Sequence, residues 1–288
     1  MKIIIQNFER IWLFLFFSKS KKINLTDLIL ILIIGLFAGV MAGMFGIGGG
    51  VVMVPAMIVF LGYTIIEANG TSLAALMMPV GIFAVIQYYK SKYVDLKIAA
   101  IFAFGLLVGV LFGAKFAIAL PSDILKQLYG IFLLYVSWRF FEFRSKKNIP
   151  SNDSEELFSE KKHSVPVLIL IGITAGILSG LFGIGGGLVM VPMMVTLMKF
   201  HPKKAVGTSL AALLLPVALP GVIEYYNSGN LKIETSAILA FGLVIGSILG
   251  AKITITLPTR TIKRVYAIFL LIMGMDFLIS GLLNFFKN

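Results

Sequence analysis

The stretch GMFGIGGGVVMVP, at Gly43–Pro55, occurs a second time as GLFGIGGGLVMVP at Gly180–Pro192. The shift of 137 residues (180 minus 43) also superimposes GTSLAAL at 70–76 on GTSLAAL at 207–213. Similarity at one fixed shift over such a distance indicates that one structural unit has been duplicated. The sequence therefore predicts two homologous halves related by pseudo-two-fold symmetry.

Composition indicates the solvent in which these halves fold. Of the 288 residues 59% are hydrophobic and only 13% are charged, and the mean hydropathy is +0.99. A soluble domain has about 25% charged residues, so lipid must cover much of this surface. The net charge of +12 lies in short basic runs between apolar segments, a pattern typical of topology determinants and headgroup contacts rather than of nucleic-acid binding. We predict an all-α, multi-pass integral protein of the cell (plasma or inner) membrane.

Each half contains five apolar segments, and the second is only about half as long as a span, which needs about 20 residues. The segments are Leu25–Met44, Val51–Leu61, Thr71–Tyr89, Ile98–Leu120 and Ile124–Phe141, then Val165–Leu181, Leu188–Met198, Thr208–Tyr226, Thr235–Leu257 and Ile262–Leu283. If the short segments do not cross, each half has four spans and the halves are parallel. If they cross, each half has five and the halves are inverted. The loop charges do not decide; we expect about eight transmembrane helices plus two short re-entrant or broken helices.

Polarity divides the chain into four parts. We predict an N-terminal interfacial segment at 1–22, a first transmembrane repeat at 23–143, a polar linker at 144–164 and a second repeat at 165–288. The linker is the one long stretch dominated by charged and small polar residues, which is why the boundary between the halves is expected there.

Four glycines within five positions interrupt each half inside an apolar region. At membrane depth an unsatisfied backbone group costs several kcal/mol, so such a break persists only where protein buries it or where it lines a cavity. Interrupted segments at corresponding positions of two halves indicate a transporter binding site. Close helix packing is the alternative role of such glycines. The predicted substrate-binding glycines are Gly46, Gly48, Gly49 and Gly50, with Gly183, Gly185, Gly186 and Gly187.

The half-helices that follow these breaks suggest an anion as ligand. A helix N-terminus presents free N–H groups and about half a positive charge, and glycine lets the backbone approach a ligand closely. Hydroxyl groups at the start of the next segments are expected to cap those segments or to donate to a bound oxyanion. They belong to Thr71, Ser72, Thr208 and Ser209.

The paired motif, FGIGGGxxxVP followed by GTSL, resembles the TauE/SafE family of sulfite exporters, also called DUF81 or TSUP. The resemblance covers both halves, nearly the whole chain after about Leu25. It implies a membrane permease for sulfite, sulfoacetate or related sulfur-containing or organic anions. The glycines of both motifs match the family pattern, but the motif does not specify the substrate.

Ionisable and polar residues near the spans are further candidates for functional-site residues. Lys115 and Lys252 occupy equivalent positions, where they either snorkel to the interface or make the approach to an anion electropositive. Gln87 and Glu224 are also equivalent, and the single carboxylate is a candidate proton-coupling group or an interfacial residue. Each precedes a Tyr-Tyr pair that is typical of an interfacial anchor.

The chain has no cysteine and two histidines, so we expect no metal site, no cofactor and no catalytic residues. The favoured function is a secondary transporter that binds a small anion between the repeats and works by alternating access. The alternative is a channel-like anion pore with the same site. Expected partners are the anion, a coupling proton or sodium ion, the bilayer and further copies of the chain.

Overall fold

A computed structural model describes residues 24–46, 48–77, 81–142, 164–256 and 260–285, without the side chains of 139–142, 254–266 and 282–285. The predicted interfacial segment at 1–22 lies outside the described residues, as does all but the last residue of the predicted linker at 144–164.

The described residues form twelve α-helices and no β-strand, which confirms the all-α prediction. Six helices belong to each half, and equivalent helices carry numbers six apart. The first half contains α1 (Leu25–Phe45), α2 (Gly50–Leu61), α3 (Ile65–Met77), α4 (Ile82–Lys90), α5 (Leu96–Ala119) and α6 (Ser122–Glu142). The second contains α7 (Val165–Phe182), α8 (Gly187–Thr196), α9 (Pro202–Leu213), α10 (Leu219–Asn227), α11 (Ile233–Thr256) and α12 (Arg260–Phe285).

Four of these helices are long and apolar enough to cross a bilayer by themselves. They are α1, α5, α7 and α11, each at least 18 residues long with a mean hydropathy of 2.0 or more. A fifth crossing arises if α3 and α4 together form one broken span. These lengths and compositions agree with a multi-pass membrane protein.

The short second segments are helices of 12 and 10 residues, α2 and α8, as predicted. Each begins at a left-handed glycine, Gly49 (φ 79°) or Gly186 (φ 71°). The preceding helix ends at another left-handed glycine, Gly46 or Gly183. Only glycine adopts this conformation without a steric penalty. The glycine run therefore both ends one helix and starts the next in a different direction.

The third segment of each half, predicted as one apolar segment, forms two helices rather than one continuous helix. In the first half α3 ends at Met77 and α4 starts at Ile82, with a 50° angle between the two. In the second half α9 ends at Leu213 and α10 starts at Leu219. Pro216 lies between α9 and α10, where its missing N–H and rigid ring disfavour a continuous helix.

The long helices pack mainly across the two halves. α1 lies against α11, α5 against α7, and α6 against α12. Glycines make the first two contacts close: a Cβ on Gly35 would lie 2.6 Å from the Leu239 carbonyl oxygen, and one on Gly172 would lie 2.8 Å from that of Phe102. Small residues allow this backbone approach in membranes, where packing replaces the hydrophobic driving force.

The order of these contacts gives the relative helix directions. Along α1, Gly35 contacts Leu239 and Gly39 contacts Leu243, so α1 and α11 run parallel. α5 and α7 are parallel by the same reasoning. Between α6 and α12 the order is reversed, because Gly130 contacts Leu278 whereas Leu134 contacts Gly274. The equivalent helices α6 and α12 are therefore antiparallel.

The buried apolar side chains form two clusters, and each cluster mixes the halves. The first contains residues of α1, α2 and α3 together with residues of α10 and α11, and smaller contributions from α5, α6, α7, α8 and α12. The second contains residues of α7, α8 and α9 together with residues of α4 and α5. The first three helices of each half thus share a core with later helices of the other half.

Candidate functional site

The two glycine motifs contact each other directly. A Cβ on Gly48 would lie 3.0 Å from the Ile184 carbonyl oxygen and 3.3 Å from the Gly185 Cα. Gly50 packs against the Gly183 carbonyl, and Gly187 packs against the Gly46 carbonyl. Residue numbers thus rise in one motif as they fall in the other, so the two segments cross antiparallel. The fold brings the starts of α2 and α8 to one place.

Seven backbone N–H groups, four at the start of α2 and three at the start of α8, make no hydrogen bond within the described residues. They belong to Gly48, Gly49, Gly50, Val51, Gly185, Gly186 and Leu188. A helix N-terminus leaves such groups without an internal partner, and all seven residues are buried. Buried donors without acceptors are costly, so an anionic or polar ligand at this place would satisfy them.

The hydroxyl residues lie near the motifs but do not cap helices, so the capping prediction is wrong. α3 begins at Ile65 and α9 at Pro202, which places all four hydroxyls inside a helix. The reason is that the chain returns to a helix earlier than the apolar pattern indicates, through a Thr64–Glu67 hydrogen-bonded turn in one half and a His201 N-cap in the other.

The hydroxyls instead join the halves. Ser72 Oγ donates to the Gly183 carbonyl oxygen at 2.7 Å, and Ser209 Oγ donates to the Gly46 carbonyl oxygen at 3.0 Å. These bonds occupy equivalent positions and end on the first glycine of the opposite motif.

Thr71 and Thr208 accept from backbone N–H groups. Thr71 Oγ1 accepts from Lys232 at 3.1 Å, and Thr208 Oγ1 accepts from Asp95 at 3.0 Å. All four hydroxyl residues are fully buried. In this conformation they therefore hold α3 and α9 against the other half.

One tyrosine of each pair belongs to the same framework, which the sequence interpretation missed. Tyr88 OH donates to the Gly43 carbonyl oxygen at 3.0 Å, and Tyr225 OH donates to the Gly180 carbonyl oxygen at 2.9 Å. Both rings are completely buried, whereas the neighbouring Tyr89 and Tyr226 are exposed. Only the second tyrosine of each pair has the exposure that an interfacial anchor needs. The sequence did carry a signal for this role, because both Tyr-Tyr pairs follow their glycine motifs at the same spacing.

A small cavity reaches the first motif. Gly48 and Ala42 line it together with Leu76 of α3, Leu213 of α9 and Ser247 of α11. Water can occupy about 30 Å³ of it, which exceeds the minimum for one molecule. The lining is mostly apolar, and the cavity borders the glycine backbone at Gly48.

Two of the four charged or polar candidates form an ion pair. Lys115 Nζ on α5 lies 3.7 Å from Glu224 Oε1 on α10, and the Lys115 side chain is 58% exposed. Gln87 lies half-buried on α4 and Lys252 is exposed on α11, and these two helices pack together. Glu224 therefore has a cationic neighbour, Lys115, that lies more than a hundred positions earlier in the chain.

Two further ion pairs lie at equivalent places but with exchanged charges. Glu67 Oε1 of α3 is 2.8 Å from Lys232 Nζ. At the corresponding place Lys204 of α9 lies 3.9 Å from Asp95 Oδ2. Each pair joins the start of a helix in one half to the chain just before a long helix of the other half. No group of His, Asp and Glu side chains suited to a metal ion occurs in the described part of the chain.

These features are typical of membrane transport proteins with interrupted helices. The features are apolar spanning helices, broken segments at matching positions, and two helix N-termini that meet in the buried interior. Within that class, the family model "Sulfite exporter TauE/SafE" matches residues 30–277. The chain belongs to this family, as its motifs indicated.

Relatives cover nearly the full length of the chain. The "Probable membrane transporter protein YunE" of Bacillus subtilis is 30% identical over 273 residues, which cover 89% of this chain and 99% of the relative. YdhB of the same organism, with the same description, is 28% identical over 245 residues, or 84% and 95% of the two chains. A "Probable membrane transporter protein" of Haemophilus influenzae is 27% identical over 270 residues, or 87% and 98%. No solved structure matches the chain. The protein is thus a membrane transporter of the TauE/SafE family.

Proposed function

We propose that this transporter is a secondary carrier for a small oxyanion, such as sulfite or an organosulfonate, bound where the two glycine motifs meet. The observation that carries the proposal is the set of buried N–H groups without partners at the adjoining starts of α2 and α8. Two helix dipoles directed at one place favour an anion without needing a buried cationic side chain. The family name supports a sulfur oxyanion as substrate class.

The proposed architecture has two inverted repeats, 23–143 and 165–288. Antiparallel packing of α6 and α12 supports inversion, as does the antiparallel crossing of the motifs. A two-fold axis in the membrane plane reverses equivalent helices, whereas an axis along the membrane normal keeps them parallel. Inverted repeats cross the bilayer an odd number of times each, so this geometry favours five spans per half over the four of the parallel alternative.

Alternating access in this architecture would move mixed units rather than whole halves. The two buried clusters suggest the units: α1–α3 with parts of α10 and α11, and α7–α9 with parts of α4 and α5. The motifs lie at their contact, where Ser72 and Ser209 bond to the opposite motif. Breaking and remaking these bonds would open the site to one side at a time.

Purified protein in proteoliposomes tests the carrier directly. We expect sulfite or sulfonate flux that saturates with concentration and depends on a proton or sodium gradient. A thermal-shift series with sulfite, sulfate, thiosulfate, sulfonates and carboxylates ranks the ligands, because a ligand stabilises the state that binds it. Fast, uncoupled currents without saturation would instead support an anion pore.

Ala42→Leu tests whether the cavity leads to the site. Ala42 is 6% exposed and lines the cavity beside Gly48, so a larger side chain would fill the cavity, which we take as the path to the site. We expect at least a tenfold loss of flux with normal membrane insertion and an unchanged size-exclusion profile. Leu36→Phe, on the exposed side of the same helix, is the control and should retain flux. Normal flux in a well-folded Ala42→Leu protein would refute the assigned path.

A further inference from the structure

Among the described residues near the motifs, Asn69 is the one buried side-chain amide, and its oxygen has no hydrogen-bond partner. It lies in α3 with no exposed surface. Its Nδ2 donates to the Leu181 carbonyl oxygen at 2.9 Å. Its Oδ1 is buried without a hydrogen bond within the described residues. An unsatisfied buried acceptor costs about 1–3 kcal/mol, so its presence in the core requires an explanation.

The end of α7, which the Asn69 amide reaches, carries several other oxygens. Gly180, Leu181 and Gly183, at the end of α7, each direct a carbonyl toward α3 or α10. The Ser72 and Tyr225 hydroxyls bond to two of these carbonyls. Each carbonyl oxygen has a second lone pair, and Oδ1 belongs to the same amide that reaches Leu181. Amide, carbonyl and hydroxyl oxygens thus gather at one helix C-terminus.

The electrostatics of this cluster suit a small monovalent cation. A helix C-terminus carries about half a negative charge. In transporters, C-terminal ends of half-helices and unwound carbonyls coordinate Na⁺. The oxygens named here are neutral, whereas Ca²⁺ sites are built with carboxylates. We propose that Asn69 Oδ1, with the carbonyls at the end of α7, forms a sodium site.

The equivalent place in the first motif has no such site. The residue that corresponds to Asn69 is Val206 (69 plus 137), which packs against Gly46 as Asn69 packs against Gly183. Its methyl groups offer no oxygen. The chain therefore has an internal comparison, in which the fold is the same and only the acceptor differs.

The sodium site lies next to the anion site that we propose. Gly183, whose carbonyl accepts from Ser72, packs against Gly50 at the start of α2. A cation at the end of α7 and an anion at the start of α2 would attract each other across this contact. Coupling of the two ions rests on the proposed transport function, but binding of sodium does not.

Thermal stability of purified protein without any substrate tests the sodium site. We expect the melting temperature to rise with NaCl to a plateau, compared with equal concentrations of choline chloride and KCl. Asn69→Val, which copies the other half, should fold and lose this rise, corresponding to at least tenfold weaker sodium binding. Asn69→Asp, which keeps an oxygen and adds a charge, should retain or strengthen the rise.

Equal stabilisation by sodium and potassium would overturn the proposal, and so would a sodium response that persists in Asn69→Val. If sodium binds but a sodium gradient does not drive sulfite uptake, the site stands and coupling is refuted. If uptake is sodium-driven in the wild type and independent of sodium in Asn69→Val, both the site and its coupling role are supported.

Discussion

At the scale of single residues, the glycines of the two motifs have different tasks. Gly46, Gly49, Gly183 and Gly186 are in the left-handed region of backbone conformation, where they redirect the chain. Gly50 and Gly187 are helical, but each lies against a carbonyl of the opposite motif. Their lack of a side chain is what allows the motifs to touch.

Gly187→Ala is expected to be strongly destabilising. The added Cβ would overlap the Gly46 carbonyl oxygen and lie 2.9 Å from Ser209 Oγ, so the motifs would have to separate. Overpacking of this kind costs about 1–3 kcal/mol or more. A drop in melting temperature together with loss of transport is the expected result. Gly81→Ala is the control, because its Cβ would meet only leucine methyl groups at 3.7 and 3.9 Å. Equal stability of the two variants would contradict the assigned contact.

At the scale of helices, the exchanged ion pairs are the most informative feature. Glu67 with Lys232 and Lys204 with Asp95 tie α3 and α9 to the starts of the long helices α11 and α5. Both places keep an attraction, but the acid lies on the short helix α3 in one pair and just before the long helix α5 in the other. The sign of the individual charge therefore matters less than the pairing.

Glu67→Lys should destabilise the folded protein, because it places a second lysine beside Lys232. Partly exposed pairs contribute about 0–1 kcal/mol, so we expect a melting temperature a few degrees lower, with less effect at high salt. Lys232→Asp in the same chain rebuilds the pair with the charge arrangement of Lys204 and Asp95 and should restore stability. If the double variant is no more stable than Glu67→Lys alone, the charges do not interact across this contact.

At the scale of the whole molecule, inversion has a direct consequence for sidedness. Ser91 and Ser228 are equivalent, exposed and placed after the equivalent helices α4 and α10. The chain contains no cysteine, so Ser91→Cys and Ser228→Cys each introduce a single reactive thiol. With inverted repeats, an impermeant maleimide should label one variant from outside intact cells and the other only after permeabilisation. Labelling of both from the same side would show parallel repeats.

The sequence by itself determined the membrane class, the duplication, the family and the two short helices, because hydropathy, repeat spacing and clustered glycines are local properties of the chain. Hydropathy alone predicted one segment where α3 and α4 are two helices, because apolar residues continue through the break.

Only the tertiary structure decided which distant groups meet. Helices of one half pack against helices of the other, and this packing brings together Lys115 with Glu224, Ser72 with Gly183, and Asn69 with Leu181. This packing between the halves depends on glycines that let distant backbone segments approach closely, such as Gly35 against the Leu239 backbone. A periodic pattern records which face of a helix is small or apolar, but not which other helix lies against it. The paired motifs could therefore be recognised in the sequence, whereas their crossing and their shared site arise from packing.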